Sequence, residues 1–256
     1  IDRLVVARDE AETGRFDSAL AALEDLLPQF QRSGAGFWLQ ATRLVLVRLW
    51  LDLGQPARAV PLLRDPPADL PPWMQADRLL LQADLARLLQ QPAPDGAVPA
   101  ALALAASDPA RGPLLRVRAL RHAPWPVQQA QATELAPLLR ETERFGALMG
   151  LQVHLAEAAL AAGDPDAAAD AAAQVLALFD DGCAPDSMYR AEAWWVAHRA
   201  LAAAGRTGQA AAALQQGTGW VMRQALPHVP PPFIDSFLHR NPVNRALLAA
   251  AGDTRA

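Results

Sequence analysis

The chain has 256 residues, a net charge of −4 and a hydrophobic content of 52%, in which alanine and leucine predominate. All 23 basic residues are arginine and form no basic cluster, which argues against a nucleic-acid-binding domain. Charged residues interrupt even the alanine-rich stretches, so no membrane helix is expected, and the lone Cys183 favours a reducing compartment such as the cytoplasm. The composition predicts an all-α protein, because alanine and leucine are strong helix formers.

A repeated turn signal predicts a series of helical hairpins. A glycine or its substitute ends a helical stretch, and a small residue follows five positions later. The pairs are Gly14 with Ala19, Gly54 with Ala59, Gln91 with Gly96, Gly163 with Ala168, and Gly205 with Ala210. Because one hairpin cannot bury its apolar face alone, the pattern predicts an αα-hairpin solenoid of about six hairpins.

The predicted helices follow in order along the chain. They are 2–13 with 16–32, 37–53 with 56–64, 73–90 with 95–106, 109–122 with 126–142, 145–162 with 165–180, and 187–204 with 207–225. Ala123 takes the glycine position of the fourth hairpin. Asp108-Pro109 and Asp164-Pro165 are predicted to cap and begin new helices. Pro124-Trp125-Pro126 is predicted to form a short loop, because prolines break helices.

The last hairpin resembles a tetratricopeptide repeat. Trp194 takes the aromatic position of its first helix, Leu201 the large position before the turn, Ala210 the small position after it and Leu214 the next large one. The turns are spaced more widely than in a strict 34-residue array. A one-sided apolar stripe predicts an amphipathic helix in the preceding hairpin; it comprises Leu148, Leu151, Leu155, Ala158 and Ala162.

The repeat register places certain first-helix residues on a concave face, where a peptide or a neighbouring helix would bind. These residues are Leu44, Arg48, Arg78, Val153, Glu157, Glu192, Trp195 and Arg199. The predicted partner-binding residues among them are Arg48, Arg78, Glu157, Glu192, Trp195 and Arg199. An ordinary solvated helix face would carry the same residue types, and that alternative stays open.

The sequence predicts neither a catalytic site nor a metal or cofactor site. His154 and Glu157 lie three positions apart on a helix, but too few further ligands lie nearby to complete a metal site. His198 is predicted to be a packed core residue. The segment 217–219 is too short for a phosphate-binding loop, and no lysine follows it.

The final segment carries a second resemblance. After a proline-rich hinge at 227–232, the tail at 233–256 includes Ser236-Phe-Leu-His-Arg-Asn-Pro-Val-Asn-Arg-Ala-Leu-Leu248. Together with Arg190-Ala-Glu-Ala-Trp-Trp195 and Gly219-Trp-Val221, it resembles the C-terminal end of bacterial AAA-type or STAND-type signal-transduction ATPases and transcriptional activators. In these proteins an effector domain, a nucleotide-binding module and a long tetratricopeptide region share one chain.

This resemblance implies that residues 1–226 are a cytoplasmic sensor and scaffold array. Its partner would be a protein, a peptide or other domains of the same longer chain, with neither nucleic acid nor membrane bound. The start at Ile1, without Met and inside a helical pattern, fits a piece of a longer protein. Two alternatives stay open, a free-standing tetratricopeptide scaffold and a helical enzyme with an unrecognised pocket.

The tail at 233–256 is predicted to cap the last hairpin. Terminal repeats of a solenoid need such a cap because their outer apolar face has no following repeat. Phe237 and Leu247 are expected to pack near Trp220 and Leu214. Pro242 is expected at the first position of the final helix.

Overall fold

The computed structural model describes residues 2–67, 69–186 and 188–253. In these ranges every regular element is helical, which confirms the all-α prediction. The α-helices are α1 (Asp2–Glu12), α2 (Phe16–Arg32), α3 (Gly36–Asp52), α4 (Pro56–Ala59), α5 (Pro72–Leu88), α6 (Ala97–Ala105), α7 (Gly112–Leu120), α8 (Trp125–Glu141), α9 (Phe145–Ala162), α10 (Pro165–Asp180), α11 (Arg190–Ala203), α12 (Thr207–Gly219) and α13 (Pro242–Asp253). Short 3₁₀ turns occur at Val60–Leu63, Leu226–His228 and Pro231–Phe233, and π-helical turns at Trp220–Ala225 and Ser236–Arg240.

The described residues separate into two compact units. The first unit falls within Ile1–Leu115 and Gln224–Pro242, and the second within Arg116–Arg223 and Val243–Ala256. The proline-rich hinge therefore belongs to the first unit, although it lies near the end of the chain. The repeat array over 1–226, with its hinge at 227–232 and cap at 233–256, stays a prediction.

Consecutive helices pack against each other within each unit. In the first unit α1 packs on α2, α2 on α3 and α5 on α6, while α3 also contacts α1 and α5. In the second unit the same succession runs from α8 to α12, and α9 also contacts α11. Large apolar side chains fill the first core, among them Phe16, Leu23, Leu49 and Met74. The core around α9 to α12 is built mostly from alanine and valine.

The repeated turn signal is confirmed at four of its positions. The glycines with positive φ are Gly14 (87°), Gly54 (69°), Gly163 (77°) and Gly205 (71°). The alanines five positions later are all buried: Ala19, Ala59 and Ala168 at 0% exposure and Ala210 at 3%. A left-handed residue stops each helix, and the small side chain lets the next helix approach its neighbour closely.

The two substituted turns differ from the prediction. The residue with positive φ after α5 is Gln90 (φ 55°) rather than Gln91. In the fourth hairpin Ala123 does not have positive φ, whereas Glu143 (φ 54°), in the connection from α8 to α9, does. The capping prediction holds at Asp164, whose Oδ1 accepts from the backbone N of Ala167 at 3.0 Å. The predicted helix start at Pro109 is wrong. Asp108 instead accepts two backbone amides in a turn, and α7 begins only at Gly112.

The one-sided stripe predicted for α9 is also wrong. Every residue from Ala147 to His154 is buried, so all sides of the helix are covered there, whereas Ala162 at the end of the predicted stripe is exposed. α9 is a central helix that contacts α8, α10 and α11, so it needs apolar residues all round. Among the described residues it is the one helix long and apolar enough to cross a membrane, but 61% of that stretch is buried inside the protein.

The tail contributes to both units. Phe237 is fully buried in the first unit, where its ring meets that of Phe16 at 5.6 Å, in the first hairpin rather than in the predicted last one. Leu247 lies in the second unit, beside Gly217 of α12, as predicted. Pro242 is the first residue of α13, as predicted.

Candidate binding site

A cavity of about 430 Å³ opens in the second unit. One wall comes from the connection between α7 and α8 with the first turn of α8, and the other from the second half of α9. The lining residues are Arg121, Ala123, Pro124, Trp125, Gln128, His154, Glu157, Ala158, Ala161 and Ala162. A mostly apolar cavity of this size with a few convergent polar groups is typical of a ligand site.

The first wall depends on how α8 begins. Pro124 is extended (φ −70°, ψ 156°), and Trp125 is already the first residue of α8, followed by Pro126 in the first turn. The prediction of a short loop here is wrong, because a proline in the first helical turn starts a helix rather than breaking it. This start fixes the Trp125 ring in the cavity wall.

Gln128 closes the end of α7 with its side-chain amide. Its Nε2 donates to the carbonyl oxygens of Leu120 (2.8 Å) and Ala123 (2.9 Å), and the side chain is only 3% exposed. The Oε1 atom is buried and accepts no hydrogen bond from any residue that the structure describes. The Gln128 side chain therefore fixes the connection between α7 and α8.

The second wall carries two ionisable groups one helical turn apart. His154 is 3% exposed, and Glu157 is half-buried. Both lie on the side of α9 that faces the α7–α8 connection. Within the described ranges no three His, Cys, Asp or Glu residues cluster as metal ligands would.

Arg121 of the cavity lining takes part in a buried ion pair. The Nη2 of Arg121 lies 2.7 Å from the Oε2 of Glu192, and the two side chains are 15% and 9% exposed. Glu192 belongs to α11, so the pair joins the cavity wall to the next hairpin. The Glu192 carboxylate is therefore engaged inside the protein, although it was predicted to be a partner-binding residue on a concave face.

Two other predicted binding residues lie on α11, outside the cavity lining. The Trp195 ring is half-buried and stacks on His198 with centroids 5.5 Å apart. His198 in turn places Nδ1 3.0 Å from the carbonyl oxygen of Ala210, in keeping with its predicted packing role. Arg199 is exposed.

The remaining two predicted residues belong to the first unit. The Nη2 of Arg48 contacts both carboxylate oxygens of Asp77, at 2.6 and 2.8 Å. Arg78 is half-buried and reaches the carbonyl oxygen of Leu63 at 3.4 Å. Its burial lowers the pKa of the Arg78 guanidinium below the usual value.

Of the residues predicted to bind a partner, Glu157 lines the cavity and Glu192 pairs with Arg121 of its lining. His154, considered in the sequence as a metal ligand, lines the cavity as well. Sequence reasoning missed Arg121 and Gln128 and misplaced Trp125. The signal was present in the prolines: reading Pro124 and Pro126 as a helix start places Trp125 and Gln128 together in the first turn of α8.

Searches against protein-family models, curated proteins and solved structures find no match. Inferences about function therefore rest on the residues themselves.

Proposed function

We propose that this chain is a non-catalytic helical-repeat module of a bacterial signalling or transcriptional regulator. In this role it binds a protein or peptide partner, or other domains of the same longer chain, in the cytoplasm. The observation that carries the proposal is the repeated pairing of a left-handed glycine with an alanine buried five positions later. That phase is typical of stacked helix-turn-helix repeats, whose usual task is to present an extended binding surface.

Helix contacts within each unit support the repeat interpretation. In the first unit α3 contacts both α1 and α5, and in the second unit α9 contacts α11. These are the first helices of successive hairpins. Such contacts between alternate helices are what a solenoid requires, since each repeat buries its apolar face against the next.

The resemblance to AAA-type and STAND-type regulators supplies the biological setting. Several residues of the resembling segments are held in place by packing or hydrogen bonds. Trp194, Phe237 and Leu247 are buried, and Ser236 and Asn241 donate hydrogen bonds to the end of α3. The resembling segment therefore takes part in the packing of the fold, as expected of a cap.

Two polar groups of the cavity lining, those of Gln128 and Arg121, favour binding over chemistry. The Gln128 amide nitrogen is committed to two backbone carbonyls, and Arg121 is committed to Glu192. Groups fixed in this way position a ligand well, whereas a reaction needs a group free to exchange a proton or attack a bond.

The experiment begins with the reading frame upstream of Ile1. A phosphate-binding loop encoded there supports the regulator, while a start codon immediately before Ile1 supports the free-standing scaffold. The upstream polypeptide is then purified and titrated with this chain by calorimetry, and its ATP hydrolysis is measured with and without the chain. Saturable binding with a lowered hydrolysis rate is expected, and no binding at micromolar concentrations would reject the proposal.

The variant for this experiment is Arg199→Glu, because Arg199 is exposed on α11 beside the half-buried Trp195. It should weaken partner binding while leaving the melting temperature almost unchanged. Arg245→Glu is the matched control, since Arg245 is also exposed but lies on α13. Equal effects of both variants would show a general charge effect instead of a binding face. ATP turnover by the purified chain alone would overturn its non-catalytic assignment.

A further inference from the structure

We propose that Arg190 binds a carboxylate group from outside the chain, through the two terminal nitrogens of its guanidinium. Arg190 is the first residue of α11. Arg199 lies about two and a half turns further along the same helix, so the two side chains project from opposite sides of it. The carboxylate site is therefore separate from the partner face of the proposed function, which includes Arg199.

The Arg190 guanidinium donates no hydrogen bond to any residue that the structure describes. Its Nε is buried without an acceptor, although the side chain as a whole is only half-buried. The two Nη atoms do not share this burial, so the end of the guanidinium reaches solvent. That end carries most of the N–H donors of an arginine, in a planar fork that matches the two oxygens of a carboxylate.

Other arginines that are largely withdrawn from solvent have a carboxylate partner. Arg121 pairs with Glu192 at 2.7 Å, and Arg48 pairs with Asp77 at 2.6 Å. Because Glu192 is held by Arg121, it does not serve Arg190, two positions before it on α11. Buried polar groups are normally hydrogen-bonded, so the state of Arg190 indicates an acceptor that the described part of the chain does not supply.

Two aromatic rings lie beside the Arg190 guanidinium without neutralising its charge. The guanidinium carbon is 5.6 Å from the ring centroid of Trp194 and 5.8 Å from that of Phe179. The two rings are nearly parallel, at 10°, with centroids 4.3 Å apart. A point almost equally far from two stacked rings lies at their edges. Aromatic edges are positive and only the faces attract cations, so the rings position the side chain by contact alone.

The charge of Arg190 is therefore partly desolvated and uncompensated. Burial lowers the pKa of the Arg190 guanidinium below its usual value, and no carboxylate of the described residues raises that pKa in return. A carboxylate from outside would supply the missing negative charge. The exposed Asp180 and Asp181, which follow Phe179 at the end of α10, disfavour a phosphate dianion more than a singly charged carboxylate.

The test follows two NMR signals of the chain labelled with ¹⁵N-arginine and ¹⁵N-tryptophan. They are the Nε–H of Arg190 and the indole N–H of Trp194, assigned through Arg190→Lys and Trp194→Phe. The probe is acetyl-Gly-Glu-Gly-amide, which should shift both signals at millimolar concentrations. The matched peptide acetyl-Gly-Gln-Gly-amide keeps the shape but loses the charge, and it should bind at least about tenfold more weakly.

Variants of Arg190 separate ligand binding from a packing role. Arg190→Met keeps an apolar stem beside the rings and should weaken the glutamate peptide at least about tenfold, measured on the Trp194 signal. Arg245→Met, at an exposed position of α13, is the matched control and should leave the affinity unchanged. Arg190→Met should not lower the melting temperature, because it removes a charge without a partner. Arg121→Met, which breaks a buried pair, should lower it.

Sodium acetate and inorganic phosphate identify the source and the class of the anion. Tighter binding of the glutamate peptide than of acetate supports an acidic side chain of a protein, while equal binding supports the same chemistry from a free acid. The inference is overturned if phosphate shifts the two signals in place of the glutamate peptide, or if the glutamine peptide binds equally well. It is also overturned if Arg190→Met binds normally or loses as much thermal stability as Arg121→Met. The proposed function has its own test, the titration with the upstream polypeptide, and none of these results decides it.

Discussion

The hydroxyl of Ser236 donates to the carbonyl oxygen of Leu53 at 2.7 Å and so joins residues 183 positions apart in the chain. Asn241 repeats the arrangement, with its Nδ2 2.8 Å from the carbonyl oxygen of Asp52. The last carbonyl groups of a helix have no partners within it. Two side chains of the tail thus satisfy the carboxyl end of α3.

Gly54→Ala should destabilise the first unit by more than about 2 kcal/mol. Gly54 has φ +69°, and a Cβ there would meet the backbone of Ser236 and lie 2.8 Å from the backbone N of Asn241. Gly34→Ala is the matched control, because Gly34 has φ +68° but open space around it. It should cost only the conformational strain, about 1 kcal/mol. Urea unfolding measures both, and equal losses would show that the close approach of the tail contributes little.

Deleting residues 227–256 should lower the stability of both units and promote self-association. The deletion removes Phe237 from its contact with Phe16 and Leu247 from its contact with α12. It also uncovers the end of α3. Sizing chromatography with light scattering and urea unfolding test this expectation. A truncated chain that remains monomeric and equally stable would instead identify the tail as a detachable docking segment.

Trp194→Ala should cost about 3 to 5 kcal/mol. Trp194 is 7% exposed, and its ring stacks on Phe179 with centroids 4.3 Å apart. Its indole N–H also donates to the Oε1 of Gln216 at 3.1 Å. Trp195→Ala is the neighbouring control and should cost clearly less, because Trp195 is only half-buried. An unchanged melting temperature for Trp194→Ala would reject its packing role.

The ion pair between Arg121 and Glu192 should show strong coupling in a double-mutant cycle. Glu192→Met alone leaves a largely buried guanidinium without this carboxylate. Arg121→Met alone leaves a largely buried carboxylate without this guanidinium. The losses of unfolding free energy in the two single variants should therefore add up to more than the loss in the double variant. The difference, the coupling free energy, should be about 1 to 3 kcal/mol. Chemical denaturation of the four proteins gives the value. Simple additivity would show that the pair does not stabilise the second unit.

The parts of the fold that sequence predicts well are those controlled by local backbone chemistry. Gly14, Gly54, Gly163 and Gly205 stop helices because a left-handed residue costs little at glycine. The alanine five positions later lies within the next helix and is buried where that helix packs on its neighbour. The left-handed conformations of Gln90 and Glu143 were not predicted, because neither glutamine nor glutamate favours positive φ.

The candidate site was predicted less well because long-range contacts form it. Glutamate is usually a surface residue, but Glu192 is buried in a pair with Arg121, 71 positions away in the sequence. The α9 stripe fails for a related reason, since periodicity cannot report how many neighbours a helix has. The same limit applies to Phe237, whose partner Phe16 lies near the opposite end of the chain.

The placement of Gln224–Pro242 in the first unit has a consequence for synthesis on the ribosome. Helices α1 to α6 leave the ribosome first. The carbonyl groups at the end of α3 cannot form their hydrogen bonds with Ser236 and Asn241 until those residues have been synthesised. At ordinary elongation rates that delay is on the order of ten seconds. During this interval the nascent chain carries an incomplete first unit, with the Phe16 side chain lacking its aromatic partner. We therefore expect the nascent chain to be a client of ribosome-associated chaperones until its last helices have emerged.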